Sequence, residues 1–260
     1  MPNKILRIML IGDIIGRPGR RAVKTLLPSL RDEYQLDFVV ANAENAAGGK
    51  GLTLDTAKEL LEAGVDVLTS GNHIWEYKDF IPHLDGPLPI LRPLNYPPDV
   101  PGRGYIINHS IMVVNLMGRV FMGNIDCPFR SIDNLLNQLK DKPPVIIVDF
   151  HAEATSEKMA MGWFLDGRVS AVLGTHTHIA TVDARILPKG TAYITDVGMV
   201  GPVNSVIGVK IELALKRFLS YLPQPLTVAS GRVAFNAVLV EVEAETGKAL
   251  SIQRIEREIE

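Results

Sequence analysis

Two histidines stand one residue apart in Gly174-Thr175-His176-Thr177-His178, directly after the apolar run Val169 to Leu173. That run is β-branched at Val169 and Val172 and reads as a short buried strand. The Gly and Thr residues after it read as a loop leaving the strand's C-terminal end, where open α/β sheets place their ligands. An H-x-H pair on such a loop can offer two imidazoles to one small volume. Four other strand-like runs also stop at side chains able to bind metal or move a proton: Asp13; Glu44 and Asn45; Asn72 and His73; and His151. Mixed carboxylate, amide and imidazole donors suit Mn²⁺, Fe or Zn²⁺ better than Ca²⁺. The set exceeds what one tetrahedral ion needs. It matches two ions sharing a carboxylate, an arrangement that clamps the attacking and leaving oxygens of a phosphoryl displacement.

Each residue alone has a plainer reading. Asp13 could cap a helix, Glu44 and Asn45 could belong to a solvated loop, Asn72 could be a left-handed turn residue, and His151 could be a hydrogen-bonded core histidine. The recurrence of such residues at strand ends favours ligation for the set. His83, in a Pro-rich stretch, and His109, in a turn, read as surface residues. Cys127 reads as an inert small side chain. Its loop, Asp126-Cys127-Pro128-Phe129-Arg130, could border the pocket, with Arg130 binding a substrate phosphate. Arg17, Gly19 and Arg20 resemble an anion-holding helix start, though helix-start chemistry explains them equally well.

The elements that must position these residues follow from periodicity. Strands are expected at Ile5 to Ile11, Leu36 to Ala41 and Val65 to Thr69. Gly16 to Arg20 opens a helix with Val23, Leu26, Leu27 and Leu30 on one face. Thr53 caps a second helix through Ala63, stopped by Gly64. A short helix is expected over Trp75 to Leu84. Pro82 to Pro101 carries seven prolines and reads as an extended surface connection. Tyr105 to Asn108 and Ile111 to Leu116 form a hairpin about His109-Ser110, with Val120 to Met122 as a further strand. Ser131 to Leu139 is an amphipathic helix, and Val145 to Phe150 is a strand, apolar except for Asp149. Thr155 or Ser156 caps a helix through Phe164. Strands are expected at Val182 to Ile186, Tyr193 to Thr195, Val233 to Glu243 and Leu250 to Ile255, a Gly-rich loop at Asp196 to Pro202, and a helix over Ile207 to Tyr221. This mixture suggests α/β architecture with two mixed sheets face to face and helices outside, a four-layer α/β/β/α sandwich. No repeat or linker divides residues 1–260, so a single domain is expected.

Composition narrows the function classes. The chain has 260 residues, 47% hydrophobic and 22% charged, with a net charge of −2. That describes a globular protein with an ordinary core. It gives no strong signal for duplex nucleic acid or an anionic membrane surface. One cysteine excludes an intrachain disulfide, in keeping with a reducing cytoplasm. The opening Met1-Pro2-Asn3-Lys4 shows no signal-peptide pattern. No apolar stretch approaches the roughly 20 residues needed to span a bilayer.

The order Gly12-Asp13, Glu44-Asn45, Gly71-Asn72-His73, His151 and Gly174-Thr175-His176-Thr177-His178 resembles the calcineurin-like metallophosphoesterases over roughly residues 5 to 200. Two departures stand out. Asp13-Ile14-Ile15 lacks the usual histidine after the first aspartate, and Glu44 stands where a bridging aspartate is usual. Both match the YmdB-like bacterial branch. Gly12 to Gly19, Asn42-Ala43-Glu44-Asn45, Gly71 to Trp75 and Thr195-Asp196-Val197-Gly198-Met199 are similar to it in detail. The resemblance implies phosphodiesterase action on a small phosphodiester or cyclic nucleotide such as 2′,3′-cyclic AMP, with a regulatory role attached. It implies two divalent or trivalent ions, Fe or Mn, with Zn as the alternative. Asp13, Glu44 and His178 would hold the first ion, and Glu44, Asn72, His151 and His176 the second. Asn45 would lie beside the first as ligand or neighbour. His73 would protonate the leaving oxygen, and a metal-acidified bridging water would attack.

Two other classes use the same residues. One is a metal-containing regulatory or nucleotide-binding protein with little turnover; the other is a metal-dependent amide or ester hydrolase. The apolar Tyr105 to Met122 segment reads equally as core or as an interface of a homo-oligomer.

Overall fold

Alternation decides the layering. In β1 (Ile5–Ile11), Leu6, Ile8 and Leu10 face one way and Met9 and Ile11 the other, because successive strand side chains point to opposite faces. All five are buried, so the strand must be covered twice. The computed structural model describes residues 4–260; Met1 to Asn3, on which the reading of the N-terminus partly rests, lie outside the described residues.

The first sheet has seven strands. β1 pairs in parallel with β3 (Phe38–Asn42), which pairs in parallel with β4 (Val67–Thr69). On its other side β1 is antiparallel to β12 (Val233–Glu243), whose far edge carries β13 (Ala249–Ile259). β11 (Met199–Pro202) links the end of β12 to the short β2 (Asp13–Ile14). The second sheet runs β5 (Tyr105–Asn108), β6 (Ile111–Met117), β7 (Val145–His151), β8 (Ala171–Thr175), β10 (Ala192–Ile194) and β9 (Arg185–Ile186). Its four central strands are parallel and its two edges antiparallel.

Three apolar layers hold these sheets. Leu6, Ile8, Leu10, Phe38 and Val40 meet Ile111, Val113, Val145, Ile147, Ala171 and Leu173 between the sheets. Outside the first sheet, Met9, Ile11 and Val39 pack on α1 (Gly16–Tyr34) and α2 (Leu54–Glu62) through Val23, Leu27, Ala57 and Leu60. Outside the second, Val114, Ile146, Val148 and Phe150 pack on α3 (Pro128–Gln138) and α4 (Thr155–Leu165) through Ile132, Leu136, Met161 and Leu165. The result is the expected α/β/β/α sandwich.

The middle layer changes chemistry at one end. Along β3 the inward positions read Phe38, Val40, Asn42; along β6, Ile111, Val113, Asn115; along β7, Val145, Ile147, Asp149, His151; along β8, Ala171, Leu173, Thr175. Asn42, Thr69, Asn115, Asp149, His151 and Thr175 are fully buried at the C-terminal ends of their strands. An apolar sheet interface therefore ends in a polar floor.

Several expected elements differ. Val120 to Met122 is not a strand: both neighbours of β6 are already taken, and Phe121 sits at φ +65°, 89% exposed, in a turn. The helix expected over Trp75 to Leu84 is a 3₁₀ helix at Lys78–Asp85, whose interior Pro82 lacks the N–H a regular ladder needs. The proline-rich connection is extended but not superficial, since Ile90, Leu91 and Arg92 are buried and bridge toward Leu68 and Arg103. Ala154, not Thr155 or Ser156, takes the cap position of α4. The Gly-rich loop holds β11, and of Val182 to Ile186 only β9 is strand. α5 (Ile211–Ser220) starts late because Ile207 and Gly208 have positive φ. β6 is wholly buried, which makes that part of the Tyr105 to Met122 segment core. His109 and Ser110 both take the positive φ that a two-residue hairpin turn requires. No described helix is long and apolar enough to cross a membrane.

Candidate metal centre

The polar floor carries the site. Glu44 follows β3, His151 ends β7, and His176 and His178 follow β8, so parallel strands deliver them to one edge. Glu44 Oε1 lies 3.0 Å from His151 Nε2. The same Nε2 lies 3.0 Å from His176 Nδ1. Donor atoms of these three residues fall within 4.8 Å of one another, a spacing one cation can bridge. Asp13 accepts from the His176 backbone N–H at 3.0 Å, while its other oxygen is 3.8 Å from His178 Nε2. Asn45 Nδ2 lies 3.2 Å from both Glu44 Oε1 and His178 Nε2, and Asn45 Oδ1 is 2.9 Å from His73 Nδ1. The structure thus gathers Asp13, Glu44, Asn45, His73, His151, His176 and His178.

Backbone geometry is committed to this cluster. A Cβ at Gly71 would lie 2.1 Å from the His151 ring and 2.4 Å from Glu44 Oε2, so only glycine lets this loop bring the His73 N–H onto Glu44. His176 and His178 hold φ of +103° and +66°. Such conformations cost on the order of 1–3 kcal/mol in non-glycine residues and collect at functional sites.

The donor set fits a metal. Three buried side-chain polar atoms among the described residues lack a hydrogen-bond partner, and two of them are Asp13 Oδ1 and Asn72 Oδ1. An orphaned carboxylate oxygen is costly in a dry interior, and a cation would satisfy it. The charge balance agrees. Burial raises Asp13 to about 6. Burial acts the same way on Glu44, but the adjacent His151 and His73 outweigh it and hold that carboxyl well below the usual range. Burial opposes protonation of His151, yet the charge of Glu44 and its hydrogen bond lift it to about 9. Burial, then the neighbouring His151, lowers His176 to about 3. The pocket holds its two sheets' charges as a carboxylate–imidazolium pair, in which a metal can take the proton's place.

A ring of supporting residues was not foreseen from the sequence. Thr175 Oγ1 donates to Asp149 Oδ1 at 2.7 Å and faces His151 Nδ1 at 2.9 Å. Asp149 also accepts from Asn42 and from Thr69, which ties the two sheets together. Lys158 donates to the Thr175 carbonyl and to Asp196, both buried, and Asp196 accepts from the Thr177 N–H. Glu153 stands 3.2 Å from His176 Nε2. One trace was legible: Asp149 interrupts an otherwise apolar strand. Lys158 had none.

Arg130 is not brought to this cluster. It lies exposed on the first turn of α3, over the outer face of the second sheet, in a separate cavity of 300 Å³ with Arg119, Asp126 and Cys127. His83 and His109 are exposed, as expected.

Comparison with known proteins places the chain among relatives. The family model for YmdB-like proteins matches residues 9–255. A 2′,3′-cyclic-nucleotide 2′-phosphodiesterase of Bacillus subtilis strain 168 is 46% identical over 254 residues, 96% of each chain. A hypothetical protein from Thermus thermophilus superposes with a TM-score of 0.93 at 47% identity, covering 98% of this chain and 100% of that one. A phosphatase from Mycoplasma pneumoniae gives 0.92 at 36% identity, covering 98% and 94%.

Proposed function

This chain belongs to the YmdB-like family, and we propose that it is a single-domain, cytoplasmic, metal-dependent phosphodiesterase that opens 2′,3′-cyclic nucleotides. The observation that carries this reading is the meeting of Glu44, His151 and His176 donors beside the orphaned Asp13 Oδ1. Asp13, Glu44, Asn45 and His178 would hold one ion, and Glu44, Asn72, His151 and His176 a second, with Glu44 common to both. Iron or manganese suits these donors, with zinc as the alternative. Bound metal supplies Lewis-acid charge for the attacking water and the phosphoryl oxygens.

The chain's own residues supply the rest. Glu44 accepts from the His73 backbone N–H at 3.1 Å, which fixes that loop against the ligand cluster. His73 Nδ1 faces the Asn45 carbonyl oxygen, an acceptor, so Nδ1 carries hydrogen and Nε2 is left for substrate. The His73 side chain is 27% exposed, at the mouth of the site. From there, protonated at both ring nitrogens, it would give the Nε2 proton to the leaving ribose oxygen and keep the hydrogen on Nδ1. Hydrolysis of the ester at O2′ then leaves a nucleoside 3′-phosphate.

The test is metal content together with turnover of 2′,3′-cyclic AMP and bis-p-nitrophenyl phosphate, wild type against Glu44→Gln. Two metals per chain with turnover, both reduced in the variant, is the expected result. Two metals with no turnover of either compound would sink the enzyme and leave a metal-containing nucleotide-binding protein.

A further inference from the structure

A cavity of 140 Å³ opens beside the metal centre. At its mouth are Asn45, His73 and His178; its walls are mainly Ile15, Ile207, Val209, Leu226 and Val228, with the exposed Lys50 and Thr227 also lining it. We propose that it is the base subsite, which takes the heteroaromatic ring of a nucleotide whose phosphate lies over the metal centre. The proposal rests on the nucleotide reading above for its substrate.

Size and lining select a ring. Pockets that enclose a whole small ligand run to about 300–1,000 Å³, so this one admits part of a ligand. Walls that are aliphatic apart from the exposed Lys50 and Thr227 favour a flat apolar face over a buried charged group. The cavity shares three residues with the metal cluster, so an occupant anchored by its phosphate would extend directly into it.

The walls are framed. Residues 203–229 form a strap that crosses the cavity. Val209 bridges both Val206 and Val228, Lys210 N–H donates to Thr227, and Ala229 N–H donates to Gly208. Facing the strap is the glycine loop after Glu44. A Cβ at Gly49 would lie 2.7 Å from Val228, and one at Gly208 would lie 2.7 Å from Ile15. Glycine at these positions lets the two walls close to cavity width.

Ile207 joins cavity and metal centre. Its carbonyl accepts from His178 Nδ1 at 2.9 Å, which directs Nε2 of that ring toward Asp13 and Asn45. Its backbone is left-handed, φ +47°, and the residue is 46% exposed. A β-branched residue in that region is an outlier. Folding alone gains little from placing a strained isoleucine in water, whereas a ring seated against it would bury the side chain.

The experiment measures binding, so it stands apart from turnover. Zinc-loaded protein is titrated calorimetrically with adenosine 3′-phosphate and with base-free ribose 3-phosphate. Wild type is expected to prefer the nucleotide at least tenfold. Leu226→Asp and Ile207→Asn, each checked by thermal melting, should bring the two affinities within about twofold. Intermolecular NOEs from adenine H2 and H8 to the methyls of Leu226 and Val228 should appear in wild type, whatever the variants do. Equal affinities in wild type, a preference surviving both variants, or NOEs from ribose protons alone would overturn the subsite. A preference without turnover would leave the subsite standing and remove the phosphodiesterase.

Discussion

At the scale of single residues, the site depends on proton direction. Thr175 has one hydroxyl hydrogen and gives it to Asp149. Toward His151 Nδ1 it can only accept, so Nδ1 carries hydrogen and Nε2 faces Glu44 and His176. Thr175→Val removes that constraint while nearly conserving shape. Metal affinity, followed by competition with a chelator, should fall about 10–100-fold. His73→Ala should behave differently. Metal content stays, and turnover drops on the order of 10²–10⁴-fold, the share of a general acid. Lost metal in His73→Ala would refute the proton-donor role.

At the scale of elements, the H-x-H loop is the part under tension and α4 is what restrains it. Lys158 reaches from α4 to the Thr175 carbonyl and to Asp196, with both charges about 1% exposed. Asp196 in turn holds the Thr177 N–H between the two strained histidines. Lys158→Met would leave Asp196 buried and unpaired, at a cost of about 3–5 kcal/mol. The measurable consequence is a fall of several degrees in Tm together with weaker metal binding, since the loop loses the ties at Thr175. A variant that melted lower yet bound metal with wild-type affinity would show that the pair serves the fold alone.

At the scale of the whole molecule, the metal cluster straddles two sheets. Asp13 and Glu44 come from the first and His151, His176 and His178 from the second. Metal binding therefore counts toward folding, and chelation should lower Tm. Without metal, pH should act through His151. Its folded value of about 9 exceeds the ordinary 6.5, so the protonated ring stabilises the fold fully below about 6.5, and this is lost as pH rises through 9. The metal-free protein should melt progressively lower from pH 7 to 9. In Glu44→Gln, which lacks the charge that raises His151, the slope should flatten. A flat profile in the wild type would show that the Glu44–His151 pair does not set stability.

The sequence determined the layers, most strands and the placing of Asp13, Glu44 and the later histidines at strand ends. Alternation and strand direction are local properties, and parallel strands send their C-terminal residues to one edge. It did not determine Lys158, Thr175 or Asp196 as supports, the burial of Ile90 to Arg92, or the place of Arg130. Those depend on which faces of α3, α4 and the proline-rich segment meet the sheets. Val120 to Met122 had strand-like residues but no free side of β6 to join. The tertiary structure alone decided how the strap at 203–229 closes on the glycine loop, because that contact joins segments some 180 residues apart (Gly49 and Val228), through packing that no local pattern encodes.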